Sequence, residues 1–222
     1  MTRVVLKLGG RVAGDSIGLA LDHHAAGDEV VVVHGAGPQI TSELRSAGIT
    51  TRFVAGRRFT DPATLAVVRR SLVAVGAELS AALGPAALHL VGDEIGLVAT
   101  RVPELGLVGA PLPCRPVAVE KALAARRIPI VTSIAVGPLN VNADEAATAL
   151  AAGLSADRIV FVSDVPGVFV EGVVATRLHV DDAHDLLDSG TFDGGIVPKL
   201  LAAAAAARLG ITAEIGDTAV VA

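Results

Sequence analysis

Two lysines beside glycine pairs are the residues of this sequence best suited to phosphate chemistry. The chain has fifteen arginines and only three lysines. Lys7 precedes Gly9-Gly10, and Lys199 follows Gly194-Gly195 and opens an alanine-rich stretch. An ammonium is a compact charge on a flexible stem, which suits a moving phosphoryl group better than a planar guanidinium does. The placement favours a phosphate site, although three lysines placed by chance would also lie somewhere.

A second group of polar side chains lies in the segment N-V-N-A-D-E, where a strand pattern gives way to a helix pattern. Either Asn140 or Asn142 could cap that helix, which would explain one such residue. Asp144 could hold the ammonium groups of both Lys7 and Lys199 by charge-assisted hydrogen bonds. Asn140 could also bind a substrate carboxylate or amide.

Glycine-rich turns follow the first two predicted strands, at Gly9-Gly10 and at Gly35-Ala36-Gly37, where Pro38 can begin a helix. Ligands bind at the carboxyl ends of strands in open α/β sheets, where free backbone N–H groups and helix N-termini attract anions. The Walker spacing and the G-x-G-x-x-G fingerprint are both absent from the sequence. Taken singly, each glycine cluster is more often a simple tight turn.

The elements that must position these residues follow an alternating pattern. Continuous apolar runs such as residues 30 to 33 indicate strands covered on both faces, which predicts a mainly parallel sheet between helices. Residues 92 to 116, rich in Gly and Pro, predict a hairpin outside that sheet. Residues 163 to 169 are predicted to form a turn that would suit a nucleotide. The predicted strands are residues 3 to 8, 30 to 34, 87 to 91, 128 to 133 and 158 to 163.

Composition limits the class of protein. With 222 residues and 52% hydrophobic content, the chain can bury a real core as one α/β unit or two closely joined lobes. No apolar run approaches the roughly 20 residues of a membrane span, and no signal peptide is expected. The single cysteine, Cys114, suits a reducing cytoplasm. A net charge of -5 without Tyr or Trp argues against nucleic-acid binding.

Six motifs follow one another along the chain: K-L-G-G at 7 to 10, V-H-G-A-G-P at 33 to 38, G-R-R-F-T at 56 to 60, N-V-N-A-D at 140 to 144, S-D-V-P-G-V at 163 to 168 and G-G-I-V-P-K at 194 to 199. In this order they resemble the amino-acid kinase family, and within it the branch that phosphorylates the γ-carboxylate of N-acetyl-L-glutamate in arginine biosynthesis. N-V-N-A-D is the most discriminating of them.

The resemblance implies a three-layer α/β/α sandwich with a mainly parallel open sheet. It would form one domain, with residues 1 to 137 as the acceptor-binding and dimerisation lobe and residues 138 to 222 as the nucleotide-binding lobe.

The resemblance also implies roles for single residues. Lys7 and Lys199 would stabilise the transition state, and Asp144 would organise them. No general base is needed because the acceptor carboxylate is already ionised. Acetylglutamate would contact Gly10, Ala36, Gly37, Arg58 and Asn140, the last two at its α-carboxylate end. ATP, which brings Mg²⁺, would contact Gly9, Asp164, Val165, Gly167, Phe169, Thr191, Phe192 and Asp193, and the protein itself would supply no metal ligand.

The sequence departs from the family pattern in three places. Ala36 stands where the family usually has glycine, so its methyl group is expected to narrow that loop. The carboxy-terminal end is short, which predicts a nucleotide lobe that is open or completed by a partner. The amino terminus begins directly at the first strand, which predicts an arginine-insensitive form that builds no hexamer.

A helix at residues 62 to 83 is predicted to join two subunits. Asp61 and Pro62 provide its cap and first residue. Leu65, Val68, Leu72, Val75 and Leu79 form one apolar stripe, and Ala66, Val67, Val73, Ala74 and Ala77 add a second apolar surface.

Two alternatives remain open at this level. The acceptor could be a carrier-linked glutamate or aminoadipate, or an unacylated amino acid. The chain could instead be a catalytically silent nucleotide-binding regulatory subunit, although the retention of both lysines and Asp144 argues against silence.

Overall fold

The structure is a computed structural model that describes residues 1–9, 13–54, 56–190, 192 and 194–222. Its helices are α1 (Ala13–Ala25), α2 (Gly37–Ser46), α3 (Pro62–Leu83), α4 (Val117–Ala124), α5 (Ala143–Gly153), α6 (Val180–Asp188) and α7 (Ile196–Arg208), with 3-10 turns at Gly84–Ala86 and Pro103–Leu105. Its strands are β1 (Arg3–Leu8), β2 (Glu29–His34), β3 (Phe53–Val54), β4 (Arg57–Arg58), β5 (Ala87–Val91), β6 (Ala99–Arg101), β7 (Val108–Pro111), β8 (Ile128–Thr132), β9 (Ile134–Ala135), β10 (Leu139–Val141), β11 (Arg158–Phe161), β12 (Phe169–Val170), β13 (Val173–Val174), β14 (Arg177–His179), β15 (Thr212–Ile215) and β16 (Thr218–Val221).

The main sheet of the described chain has eight strands in the order β14-β16-β15-β11-β1-β2-β8-β5. Neighbouring strands are parallel except for the antiparallel pair β15 and β16. The five apolar runs predicted to be strands are neighbours in this sheet, from β11 to the edge strand β5, and their ends differ from the prediction by at most two residues. The expected mainly parallel sheet is therefore confirmed.

Alternate residues of the central strands pack into two separate cores. Val5 and Val31 face a core shared with α4, α5, α6 and α7. Val4 and Val30 face the opposite core, which α1 and α3 cover. Because successive strand residues point to opposite faces, both faces of the sheet need apolar side chains, as the continuous valine runs supply. The result is the predicted three-layer α/β/α sandwich.

The segment between β5 and α4 leaves the main sheet, as predicted. Its strands β6 and β7 are antiparallel and belong to a second sheet in the order β6-β7-β10-β9. In this sheet β10 runs parallel to β7, so that Asn140 lies beside Val108. The second sheet therefore carries one of the predicted acceptor residues toward the main sheet.

Local capping explains where two long helices begin. Asp61 accepts a hydrogen bond from the Thr64 amide at the start of α3, and Asn142 accepts from the amides of Asp144 and Glu145 at the start of α5. None of the helices in the described ranges is long and apolar enough to cross a bilayer.

Candidate functional site

The carboxyl ends of three central strands meet at one edge of the main sheet. Lys7 in β1 lies beside Val33 in β2 on one side and beside Phe161 in β11 on the other. A cavity of about 680 Å³ opens at this edge, within the range typical of small-molecule sites. The glycine-rich turns after β1 and β2 line it, through Gly9 and Gly35. The site therefore lies where an open α/β sheet is expected to bind its ligand.

Both predicted lysines contact one carboxylate oxygen. Lys7 Nζ lies 2.9 Å from Asp144 Oδ1, and Lys199 Nζ lies 3.4 Å from the same atom. Lys7 and Asp144 are each only 5% exposed, and all three residues line the cavity. Two ammonium groups against one carboxylate leave an excess of positive charge, which favours a bound anion.

Burial changes the acid–base behaviour of the cluster. The pKa of Lys7 is lowered from 10.5 to about 8, mainly by loss of hydration on burial. The Asp144 carboxylate opposes this shift, and the nearby ammonium of Lys199 contributes to it. A phosphate group that entered the cavity would favour the charged form of Lys7. Anion binding would therefore increase the fraction of Lys7 side chains that carry a charge.

Arg58 presents an unsatisfied guanidinium at another part of the cavity wall. The side chain stacks on the ring of Phe53, with Cζ 4.5 Å from the ring centroid, and donates a hydrogen bond from Nη2 to Thr41 Oγ1. Its Nη1 is buried without a hydrogen-bond partner, and burial lowers the pKa of the guanidinium. A buried, unpaired guanidinium group is costly unless a ligand completes it. Arg58 is thus suited to bind a carboxylate.

Asn140 and Arg58 are connected through Thr60. Asn140 Nδ2 donates to Thr60 Oγ1 at 2.9 Å, and Thr60 Oγ1 donates to the backbone carbonyl of Arg58 at 2.8 Å. Thr60 is fully buried, and its backbone forms an isolated parallel β-bridge with Gly106. The two residues predicted to contact one end of the acceptor therefore belong to one hydrogen-bonded unit.

The loop between β2 and α2 brings Ala36 and Gly37 to the cavity wall. Ala36 is the residue before α2 and has a negative φ of -139°. It is 1% exposed and packs in a cluster with Ile40 and Leu72. The methyl group expected to narrow the loop is therefore buried between α2 and α3.

The predicted nucleotide residues divide into three sets. Gly9, Asp164 and Val165 line the cavity. Gly167 and Phe169 do not line it; a methyl group added at Gly167 would stand 2.6 Å from Thr218 Oγ1, so this glycine permits close packing of two chain segments. Phe192 packs against the core that α4, α5, α6 and α7 share with the main sheet. The remaining three predicted site residues, Gly10, Thr191 and Asp193, lie outside the described residues.

Several residues that line the cavity or contact its lining were not predicted as site residues from the sequence. Thr41 and Thr60 hold Arg58, and Ser133 lines the cavity at the end of β8. Glu145 forms an ion pair with Arg57. Thr60 and Arg57 are part of the G-R-R-F-T motif and Glu145 directly follows N-V-N-A-D, so proximity to a motif was the available signal.

The arrangement can neutralise charge on a transferring phosphoryl group without forming a covalent intermediate. Such transfer depends on positioning and on positive charge around the equatorial oxygens. In the described part of the chain, no group of three or more His, Cys, Asp or Glu side chains could hold a metal ion.

Comparison with known proteins agrees with this geometry. The model of the Amino acid kinase family matches residues 2–217, and the chain belongs to this family. It is 40% identical to the acetylglutamate kinase of Roseiflexus castenholzii over 194 residues, which cover 82% of this chain and 75% of the relative. It is 34% identical to the acetylglutamate kinase of Dinoroseobacter shibae over 96% of this chain and 80% of the relative. A solved Streptococcus mutans structure superposes with a TM-score of 0.90 at 27% identity, over 99% of this chain and 98% of the other.

Proposed function

We propose that this protein transfers the γ-phosphoryl group of ATP to the γ-carboxylate of N-acetyl-L-glutamate, as a step of arginine biosynthesis. The observation that carries the proposal is the pair of ammonium groups, from Lys7 and Lys199, on the single Asp144 oxygen at the cavity. The acetylglutamate kinases among the relatives support the choice of acceptor.

In the proposed reaction, a γ-carboxylate oxygen of the acceptor attacks the γ-phosphorus in line with the bond to the leaving oxygen. That phosphorus–oxygen bond breaks, and ADP departs with its electron pair. The acceptor is already ionised, so no residue has to remove a proton. Lys7 and Lys199 stabilise the charge on the transferring group, and Asp144 keeps their ammonium groups at the cavity.

Arg58 and Asn140 bind the α-carboxylate end of the acceptor in this proposal. The unpaired Nη1 of Arg58 supplies the donor, and a guanidinium can bind a carboxylate through two parallel hydrogen bonds. The backbone at Ala36 and Gly37 contacts the same substrate in this proposal, since both residues lie at the start of α2 and line the cavity.

ATP is assigned to the lobe that begins near residue 138, where Asp164 and Val165 line the cavity. Mg²⁺ enters as part of the nucleotide substrate, with phosphate oxygens as its ligands.

We also propose that the protein works in the cytoplasm, where its lone Cys114 is kept reduced.

A homodimer through α3 completes the proposal. Ala66, Ala74 and Ala77 on this helix are exposed although α3 already buries an opposite face against the sheet. Excess apolar surface of this kind favours an interface.

A coupled assay of ADP release by purified protein tests the proposed reaction. We expect release that requires N-acetyl-L-glutamate, with glutamate, acetylaminoadipate and a carrier-linked glutamate as competing acceptors in parallel reactions. Faster release with one of those acceptors would reassign the substrate. No release with any of them, from protein shown to be folded, would contradict a kinase function.

A further inference from the structure

Arg57, which lines the candidate cavity, forms a bidentate ion pair with Glu145. Arg57 Nε lies 2.9 Å from Glu145 Oε1, and Arg57 Nη2 lies 2.9 Å from Glu145 Oε2. The two side chains are 27% and 28% exposed, so water screens the pair only in part. Two parallel charge-assisted hydrogen bonds fix both the separation and the orientation of the partners.

The pair joins two segments that carry site residues. Arg57 precedes Arg58 in β4, and Glu145 follows Asp144 in the first turn of α5. The tip of the same hairpin lies close to α7, since a methyl group added at Gly56 would stand 3.5 Å from Cβ of Pro198, the neighbour of Lys199. The hairpin thus contacts α5 and lies beside α7, the two helices that contribute to the lysine cluster.

The hairpin formed by β3 and β4 has little support of its own. Each strand is two residues long, and an isolated two-stranded hairpin is at best marginally stable in water. Phe53 and Val54 are 54% and 45% exposed, so the hairpin buries little apolar surface. Its position therefore depends on contacts to neighbouring elements. These include the backbone hydrogen bonds of the adjacent Thr60 with Leu105 and Leu107, and the bidentate pair of Arg57 with Glu145.

We propose that Arg57 and Glu145 are positioning residues, whose ion pair fixes the hairpin against the start of α5 so that Arg58 presents the acceptor in line with the phosphoryl group. This inference rests on the proposed function. Small displacements of a bound reactant reduce phosphoryl transfer strongly, because the reacting atoms must be aligned. The pair acts through Arg58 and itself needs no contact with substrate.

Steady-state kinetics of Arg57→Ala, Glu145→Ala and the double variant test the coupling. We expect each single substitution to raise the acceptor KM by about tenfold and to lower kcat, with the ATP KM unchanged. The double variant should be no worse than either single variant, because both remove the same pair. The swapped pair, Arg57→Glu with Glu145→Arg, should recover part of the loss.

A second Arg–Glu pair of the chain provides the matched control. Arg158 Nη2 contacts both carboxylate oxygens of Glu214, at 2.9 and 2.8 Å, and neither residue lines the cavity. Arg158→Ala and Glu214→Ala should leave the acceptor KM unchanged. If Arg57→Ala raises the acceptor KM while Glu145→Ala does not, Arg57 binds the acceptor directly and the inference is wrong. Equal increases in the acceptor KM and the ATP KM of Arg57→Ala and Glu145→Ala would indicate a general loss of structure and would also overturn the inference.

Hydrogen–deuterium exchange provides a readout that needs no activity. In substrate-free protein, amides of residues 51–59 should exchange faster in Arg57→Ala and in Glu145→Ala than in the wild type, while amides in β1 and β2 stay protected. Absence of acetylglutamate-dependent ADP release from the wild type would refute the proposed function alone. Unchanged exchange of residues 51–59 in both variants would refute the positioning role.

Discussion

Lys7 Nζ lies 2.9 Å from Asp144 Oδ1, and the two residues are each 5% exposed. The buried carboxylate sets the direction of the Lys7 ammonium at the cavity. Preorganised charge is effective in catalysis because the surroundings need not rearrange during the reaction. Lys199 shares the same carboxylate oxygen at 3.4 Å, which leaves Asp144 with a partner if either lysine is removed.

Removal of either lysine should therefore reduce catalysis without unfolding the protein. We expect Lys7→Ala and Lys199→Ala each to lower kcat by about 100- to 1,000-fold, the scale for loss of one transition-state charge donor. Lys121→Ala, at the exposed third lysine on α4, is the matched control and should retain full turnover. Near-normal kcat in purified Lys7→Ala or Lys199→Ala would refute their assignment.

The pH dependence of activity should report the lowered pKa of Lys7. Burial brings this pKa to about 8 in the free protein, so the ammonium loses its proton as the pH rises through that value. We expect kcat/KM for ATP to fall above pH 8, whereas the fall in kcat should begin at higher pH because bound phosphates favour charged Lys7. In Lys7→Arg, kcat/KM for ATP should no longer fall above pH 8, since a guanidinium stays protonated. A flat wild-type kcat/KM profile across this range would contradict the assignment.

Arg58 should contribute to acceptor binding more than to nucleotide binding. We expect Arg58→Ala to raise the acceptor KM by more than about 100-fold while the ATP KM changes little, because a bidentate carboxylate contact is lost. Arg57→Ala should give the smaller of the two acceptor effects. A larger effect at Arg57 would mean that the acceptor contact lies one residue earlier in the motif.

Much of the fold could be predicted because local physical rules determine it. The valine run of β2 requires burial on both faces, and Asp61 with Pro62 marks the start of α3 at the residue observed. Contacts between distant segments could not be predicted in this way. Arg57 and Glu145 are 88 positions apart, and Asn140 and Thr60 are 80 positions apart, so neither periodicity nor capping rules relate them.

Two residues show why a residue type alone does not determine its role. Gly167 lies in a turn that suggested nucleotide binding, yet it packs against Thr218, where a side chain would collide. Its contact with a nucleotide stays a prediction. Val67 was expected on the second apolar surface of α3, which was wrong: it is 5% exposed and packs in the cluster with Ile40 and Leu44. A glycine allows close approach either by a ligand or by another segment of the chain. A valine is equally suited to a buried core and to a subunit interface.

A buried histidine should make stability depend on pH. Burial lowers the pKa of His34 from 6.5 to about 4. Between these values the unfolded chain binds a proton that the folded protein does not, so the free energy of unfolding falls as the pH falls from 6.5 to 4. The loss from His34 should be about 3 kcal/mol, and the pKa of His89, lowered by burial, acts in the same direction.

Urea unfolding at pH 7 and pH 4.5 measures this dependence. The free energy of unfolding should fall less between the two pH values in His34→Asn than in the wild type, because the titrating group is gone. The difference between pH values is compared within each protein, so a uniform loss of stability in the variant does not affect the result. An unchanged difference in His34→Asn would exclude His34 as the source.

The helix α3 should also join two subunits of the proposed homodimer. Leu65, Val68, Leu72 and Leu79 of the predicted apolar stripe are buried, which accounts for one face of the helix. Ala66, Ala74 and Ala77 are exposed on the other. We expect light scattering to give twice the 22.3 kDa chain mass across a dilution series that reaches micromolar concentration.

Ala74→Glu should shift the protein to monomers, because a charge placed within an apolar interface loses its hydration without gaining a partner. Ala124→Glu is the matched control, since Ala124 is an exposed alanine at the end of α4, and it should leave the mass unchanged. Circular dichroism of both variants verifies that each is folded. A wild-type mass of 22.3 kDa at micromolar concentration, or a dimer that survives Ala74→Glu, would show that α3 does not form the interface.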